Sequence, residues 1–356
     1  MKLGARIFKT GIAIILSLFL SELFQLPSPL FAAIAAIFAI QPTVYRSFLS
    51  IVEQIQGNAI GAIIAVVFVL LLGKDMLIVG LAAIILITIN LKLKIENTIG
   101  LSLVTMLVIM ETPGDAFIEF AFIRFLTIML GVLSAFIVNL FFLPPKYEKK
   151  LYYQLSDVTV EITKWIRMTI RHSSEHKPLK NDIKKMKETV RGLDQLYSLF
   201  KEERHYLKRD TFAKSRKLVV YRQMISTVKR ALEVLRKLHR YENDLYEMPA
   251  EFQVIVQQQL DSLVHYHEHV MLKFIGKVRP QMIFEDGEFY LKRKELANQF
   301  LSYQKNSHIT DESTLTHTMQ IVSAIIDYDE QIEHLDKIIS SFQRYHKKTN
   351  KILIEK

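Results

Sequence analysis

The sequence predicts an all-α protein in two parts: a six-span transmembrane helical module over residues 1–145, then a soluble α-helical bundle over residues 146–356. Three observations lead there. Charge divides unevenly, because residues 1–146 hold nine of the 46 Lys/Arg and seven of the 36 Asp/Glu, a formal +2 against +8 for the rest. Apolar runs long enough to cross a bilayer recur only in the first part, and residues 54–73 and 125–145 carry no charge at all. Beyond Tyr147 the pattern changes to charged, amphipathic helical repeats.

A helix needs roughly 20 mainly apolar residues to cross the hydrocarbon core. The first predicted span is Ile7–Leu26, preceded by Lys2 and Arg6 and containing Lys9. That opening has the form of a signal peptide, with a small-x-small site at Ala33–Ala35, but apolar segments continue for another hundred residues, so it reads as a retained span. Pro27 and Pro29 frame a tight turn into the second span, Leu30–Val44. The third is Ile55–Leu72, the fourth Met76–Leu91, the fifth Asn97–Met110 and the sixth Phe120–Leu143. The second and fifth are short, which fits tilted neighbours, re-entrant pieces or a thinned bilayer equally.

Basic residues set the expected orientation. Lys2, Arg6, Lys9, Arg46, Lys92, Lys94, Lys146, Lys149 and Lys150 fall on one side, against Lys74 on the other. The bias alternates across all six spans and predicts a multi-pass plasma-membrane protein with both termini cytoplasmic. Gly57, Gly61 and Ala65, then Gly131 and Ala135, sit at intervals that let helices approach closely, within the chain or between subunits.

Ionisable groups at membrane depth are costly unless paired or wetted, so they mark candidate sites. Arg124 lies four residues into the last span, with Glu119 about one turn before it. Two readings stand: a cavity residue that meets an anionic substrate through its planar donor fork, or a structural ion pair with Glu119, Glu111 or Asp115. Glu22, Glu53 and Glu96 sit at span ends, as proton-coupling or plain interfacial carboxylates. Gln41, Asn58, Asn90, Asn97 and Asn139 either line an aqueous substrate route or bond helices together.

The residues also carry a resemblance. Arg6-x-x-Lys9-Thr10 opens an Ala/Ile/Leu span, and the Ala-rich second span ends in Gln41-Pro42-Thr43, followed by Ser47 and Gly57-Asn58-x-x-Gly61. The sixth span bears Arg124, Gly131 and Asn139 and stops at Pro144-Pro145. This order, over about residues 1–145, resembles the bacterial aromatic acid exporter family, within the fusaric-acid-resistance-type membrane proteins. The remainder looks like the helical cytoplasmic domain of its shorter members. The resemblance implies efflux of small aromatic carboxylates, driven by a membrane gradient. Long exporters of this group contain two six-span modules and this chain has one, so a homodimer or higher oligomer is implied. The alternative reading is a membrane-anchored scaffold or sensor whose cytoplasmic bundle is the functional part.

In the C-terminal half, helical seams are read at Leu151, Leu155, Val158, Ile162 and Trp165, at Ile183, Met186, Val190, Leu193 and Phe200, and at Tyr221, Ile225, Val228, Leu232 and Leu235. Leu260, Leu263, His267, Val270 and Phe274 form another, and Leu315, Met319, Val322 and Ile326 open the last long helix. Breaks are expected near His176–Pro178, Met248–Pro249, Arg279–Pro280 and Asp286-Gly287, giving five or six helices and no sheet. Asp261, His265 and His269 share one helical face with metal-ligand spacing, but a solvated face explains them and no metal is expected. His267 falls on the apolar seam instead.

Absent motifs narrow the function. With no cysteine, thiolate nucleophiles, disulfides and Cys-based metal centres are excluded. No Gly-rich phosphate loop or His-Glu-x-x-His stretch occurs, so neither ATP hydrolysis nor other enzyme chemistry is expected, and no cofactor. Basic stretches such as Lys184–Lys187 and Lys214–Lys217 interleave with acids at helical spacing; they fit solvated faces or anionic lipid headgroups better than nucleic acid.

Overall fold

The computed structural model describes residues 5–112, 117–141, 147–171, 176–202, 208–279, 293–306 and 312–346. These residues are mostly helical with no strand among them, and the chain divides into two compact units, one of residues 1–145 together with 202–204 and the other of the rest.

The first unit contains α1 (Ala5–Leu23), α2 (Pro29–Ala39), α3 (Val44–Leu72), α4 (Met76–Lys92), a 3-10 turn (Glu96–Thr98), α5 (Ile99–Glu111) and α6 (Phe117–Phe141). Six helices thus stand where six spans are read. Two stretches, Tyr45–Leu72 and Ile118–Phe141, are long and apolar enough to cross a membrane, and they lie in the third and sixth helices.

Local chemistry sets the ends. α1 closes with Leu26 N–H on the Ser21 carbonyl at 2.9 Å and Gln25 in the left-handed region, a C-cap that Pro27 follows. α2 stops at Ala39, short of the expected Val44, because Pro42 disfavours helical backbone at the residue before it. α3 then begins at Val44, eleven residues earlier than the apolar run suggested. Thr43 caps it, its hydroxyl accepting from Arg46 N–H at 3.1 Å, and the helix runs through the more polar stretch 45–54 into the apolar run.

Polarity in this unit is turned inside out. Ile15, Phe19, Ile63, Leu70, Ile84 and Phe122 are exposed, whereas Ser17, Ser50, Gln54, Asn58, Asn90, Ser102, Thr105 and Asn139 are buried. A water-soluble protein does the reverse.

Small residues bring the helices together. A Cβ on Gly131 would run into the backbone carbonyl of Ala32, so α6 and α2 touch main chain to main chain. A Cβ on Gly61 would lie 2.7 Å from the Ser102 carbonyl, and one on Gly57 would strike the Thr98 side chain. Gly131 at Ala32 and Asn139 at Gln41 make α2 and α6 run parallel. Gly57 at Thr98 and Gly61 at Ser102 do the same for α3 and α5.

The second unit comprises α7 (Tyr147–Ile170), α8 (His176–Glu202), α9 (Lys208–Arg240), α10 (Glu242–Tyr246), α11 (Ala250–Phe274), α12 (Arg293–Asn306) and α13 (Glu312–His346). One continuous core joins them, and the expected seams on α7, α8, α9 and α11 face it. Seven described helices replace the expected five or six, because α9 ends at Arg240 and the five-residue α10 follows. α11 ends at Phe274 beside Gly276, earlier than the expected break at Arg279–Pro280, and Asp286-Gly287 lies outside the described residues. Met319 is exposed rather than on the seam. Thr318 is buried instead, and the α13 core row continues through Val322, Ile325, Tyr328, Ile332 and Leu335.

Acid–base pairs tie this unit together: Arg167 to Glu268 in a fork of two 2.9 Å bonds, Lys217 to Glu148 at 2.7 Å, and Lys273 to Asp336 at 2.8 Å. His267 is fully buried on α11 with Nδ1 2.8 Å from the Tyr328 hydroxyl. Burial lowers its pKa to about 4 and raises that of the Tyr328 phenol.

Two predictions follow from these contacts. Gly131→Ala lowers the thermal midpoint of the detergent-purified chain, with overpacking on the order of 1–3 kcal/mol. Gly80→Ala, where an added Cβ meets nothing within 4 Å, keeps or raises it. The second concerns acid. Between the unfolded histidine pKa near 6.5 and the folded value of about 4, only the unfolded chain takes up the proton, so stability falls as pH drops through that window. A shift of that size is worth at most about 3 kcal/mol. His267→Phe therefore narrows the gap between unfolding midpoints measured at pH 7 and pH 4.5.

Candidate functional site

α6 carries the polar groups of interest on its buried side. The Gly131–Ala32 approach draws α2 against it, and near the start of α6 the Arg124 guanidinium lies over the Phe31 ring. Arg124 is only 2% exposed, and Nε, Nη1 and Nη2 all lack a hydrogen-bond partner among the described residues.

The ion-pair reading of Arg124 is not met among those residues. Glu119 and Glu111 are exposed and neither bonds the guanidinium, while Asp115 lies outside the described residues. Helix geometry explains the first: residues five apart on an α-helix project about 140° apart.

Toward the other end of α6, Asn139 organises a second node. Its Nδ2 donates to the Gln41 carbonyl at 3.0 Å, the Thr43 carbonyl at 3.2 Å and Ser47 Oγ at 2.7 Å, while its Oδ1 accepts from Lys9 Nζ at 2.8 Å. Four segments meet on one amide. Gln41 enters through its backbone, which sequence alone did not indicate.

The remaining amides form a separate ladder. Asn58 Nδ2 donates to the Gln54 carbonyl at 2.9 Å, and Asn58 Oδ1 accepts from Thr105 Oγ1 at 2.7 Å. Asn90 Nδ2 donates to Ser102 Oγ at 2.8 Å. These groups stitch α3, α4 and α5 together where Gly57 and Gly61 allow close contact. Asn97, Glu22 and Glu96 are exposed and Glu53 is half-buried, and none joins Arg124.

Lys9 enters the sequence reading as an orientation charge and in the opening Arg6-x-x-Lys9-Thr10, not as a site residue. Its signal was present, however: Lys9, Ala13, Ser17 and Ser21 follow each other at i, i+4 and are all buried, so the lysine belongs to the small-residue face of α1.

In the second unit, Asp261 bonds Arg171 at 3.2 Å, which spends the carboxylate of the histidine face. Among the described residues no group of three or more His, Cys, Asp or Glu is placed to hold a metal ion.

Residues 1–142 match the family described as aromatic acid exporter family member 1. The whole chain is 53% identical over 357 residues to the UPF0421 protein YgaE of Bacillus subtilis (strain 168), covering 100% of both. A UPF0421 protein of Oceanobacillus iheyensis is 26% identical with 86% of each chain covered, and one of Staphylococcus epidermidis is 28% identical over 58% of this chain and 65% of its own. With a relative this similar from end to end and the family match over its first unit, the chain belongs to the aromatic acid exporter family, among its UPF0421 proteins.

Proposed function

We propose that this protein exports small aromatic carboxylates across the plasma membrane, with Arg124 holding the carboxylate. The observation that carries the reading is the buried, partnerless guanidinium. A cation taken out of water without a counter-charge costs several kcal/mol, and an arriving carboxylate offsets that cost through two parallel hydrogen bonds. Phe31 beneath the guanidinium favours a ligand that is itself aromatic.

The six helices of the first unit act as six spans with both termini cytoplasmic. Their apolar exteriors, the parallel α2/α6 and α3/α5 pairs and the one-sided basic residues support this. At 11 and 13 residues, α2 and α5 reach about 17 and 20 Å, less than a hydrocarbon core of about 30 Å, so they depend on longer neighbours for cover. Glu53, half-buried on α3, is the best placed of the three carboxylates for coupling to a proton gradient. With one module per chain, a homo-oligomer completes the transporter, and residues 146–356 form its cytoplasmic domain.

A deletion strain retains 4-hydroxybenzoate and grows poorly in its presence, and the wild-type chain restores efflux. Arg124→Gln at equal membrane abundance cuts the efflux rate at least tenfold, and Arg124→Lys recovers part of it. Unchanged efflux of a broad panel of aromatic acids in the deletion strain, or from Arg124→Gln, would sink the reading. For topology, a reporter active only in the cytoplasm and fused after Lys356 gives signal; an inactive fusion at normal abundance contradicts a cytoplasmic C-terminus.

A further inference from the structure

Lys9 is the second cation buried in the first unit, after Arg124. It is 5% exposed, and of its three N–H donors one goes to the neutral Asn139 Oδ1; no other bond and no carboxylate reaches it among the described residues. The groups around it are short of acceptors as well. Ser47 Oγ and Thr43 Oγ1 each accept a bond, from Asn139 and from Arg46 N–H, while neither hydroxyl proton is donated among the described residues. Asn139 has spent its amide hydrogens on Gln41, Thr43 and Ser47, which fixes its Oδ1 toward Lys9 and holds the ammonium in place. The node is thus a positively charged, hydrogen-bonded cluster with surplus donors, in a setting where an unmatched buried charge is expensive.

We infer that Lys9, with the hydroxyls of Ser47 and Thr43, forms a second carboxylate-binding site at the opposite end of α6 from Arg124. This rests on the exporter reading for its ligand class. Arg124 and Asn139 are 15 residues apart, so the two sites lie about 22 Å apart along the helix, most of the depth of a hydrocarbon core. The Lys9 end is the one the basic residues assign to the cytoplasm, where the carboxylate enters, and Arg124 receives it at the far end.

Two measurements on the full chain test this. Binding of radiolabelled benzoate to the detergent-purified protein is measured for wild type, Lys9→Gln, Lys9→Arg and Asn139→Leu. Uptake of the same probe is measured in inverted membrane vesicles, which present the cytoplasmic face. Lys9→Gln is expected to weaken benzoate binding and raise the transport KM at least tenfold at unchanged abundance, with Lys9→Arg restoring most of both. Asn139→Leu, which frees the ammonium, gives an intermediate KM. A purely structural lysine would instead lower abundance and maximal rate together while leaving KM unchanged, and that pattern overturns the proposal. So does wild-type protein that binds no benzoate, or Lys9→Gln that binds as wild type does. Lysine-dependent binding without any vesicle uptake keeps this site and removes the exporter reading.

Discussion

The close approach of α2 and α6 is the constraint on which the first unit depends. Helices in lipid gain little from hiding apolar surface from one another, so their association rests on main-chain proximity and on hydrogen bonds. Gly131 against the Ala32 carbonyl supplies the proximity. Because the two helices run parallel, one contact sets the register of everything along them. Toward one end it lays Phe31 under Arg124, and toward the other it brings the Gln41–Thr43 turn onto Asn139. A shift of one residue would move α6 by about 1.5 Å and turn it by about 100°, separating both pairs.

The two units treat buried cations differently, and the contrast bears on what Arg124 and Lys9 are for. In the helical bundle, each of the buried cations Lys217 and Lys273 meets a carboxylate, and buried Asp329 meets Arg293. That is the usual solution for a structural charge: pair it, because removing one partner leaves a cost of several kcal/mol. In the first unit Arg124 and Lys9 have no carboxylate among the described residues. Acids exist nearby in sequence, yet Glu22, Glu96, Glu111 and Glu119 are exposed. That contrast is what the proposed carboxylate sites rest on: cations are paired in the bundle and left without a carboxylate in the first unit.

Much of the architecture was legible because hydrophobic period is a strong signal. Helix positions in both units follow from it, as do the core rows of α7, α9 and α11. The errors have local causes. α3 begins eleven residues early because the Thr43 cap starts the helix ahead of the apolar run, in a stretch where Arg46 and Glu53 interrupt the hydrophobic pattern. Met319 was misassigned because buried threonines, Thr314 and Thr318, occupy the start of the α13 core row and carry no hydrophobic signature. In the candidate site, Arg124 stood out as a lone charge in an apolar run, whereas Lys9 was hidden among the basic residues that mark orientation. The role of Gln41 lies in its backbone carbonyl, and a side-chain alphabet does not encode that.

Which polar groups bind and which only hold helices together can be argued from hydrogen-bond capacity. Asn58 has its carbonyl taken by Thr105 and its amide by Gln54, while Asn139 makes four contacts. Amides this well satisfied gain little from a passing ligand, since each new bond would replace an existing one at a net worth of about 1 kcal/mol. The cations are in the opposite condition. Arg124 has its whole donor fork unspent and Lys9 retains two N–H bonds, so an anion adds bonds without breaking any. The ligand class follows from that inequality. Under the proposed export function, neutral or cationic cargo would leave both charges unmatched, whereas a carboxylate would match each, with Asn139 holding Lys9 in place.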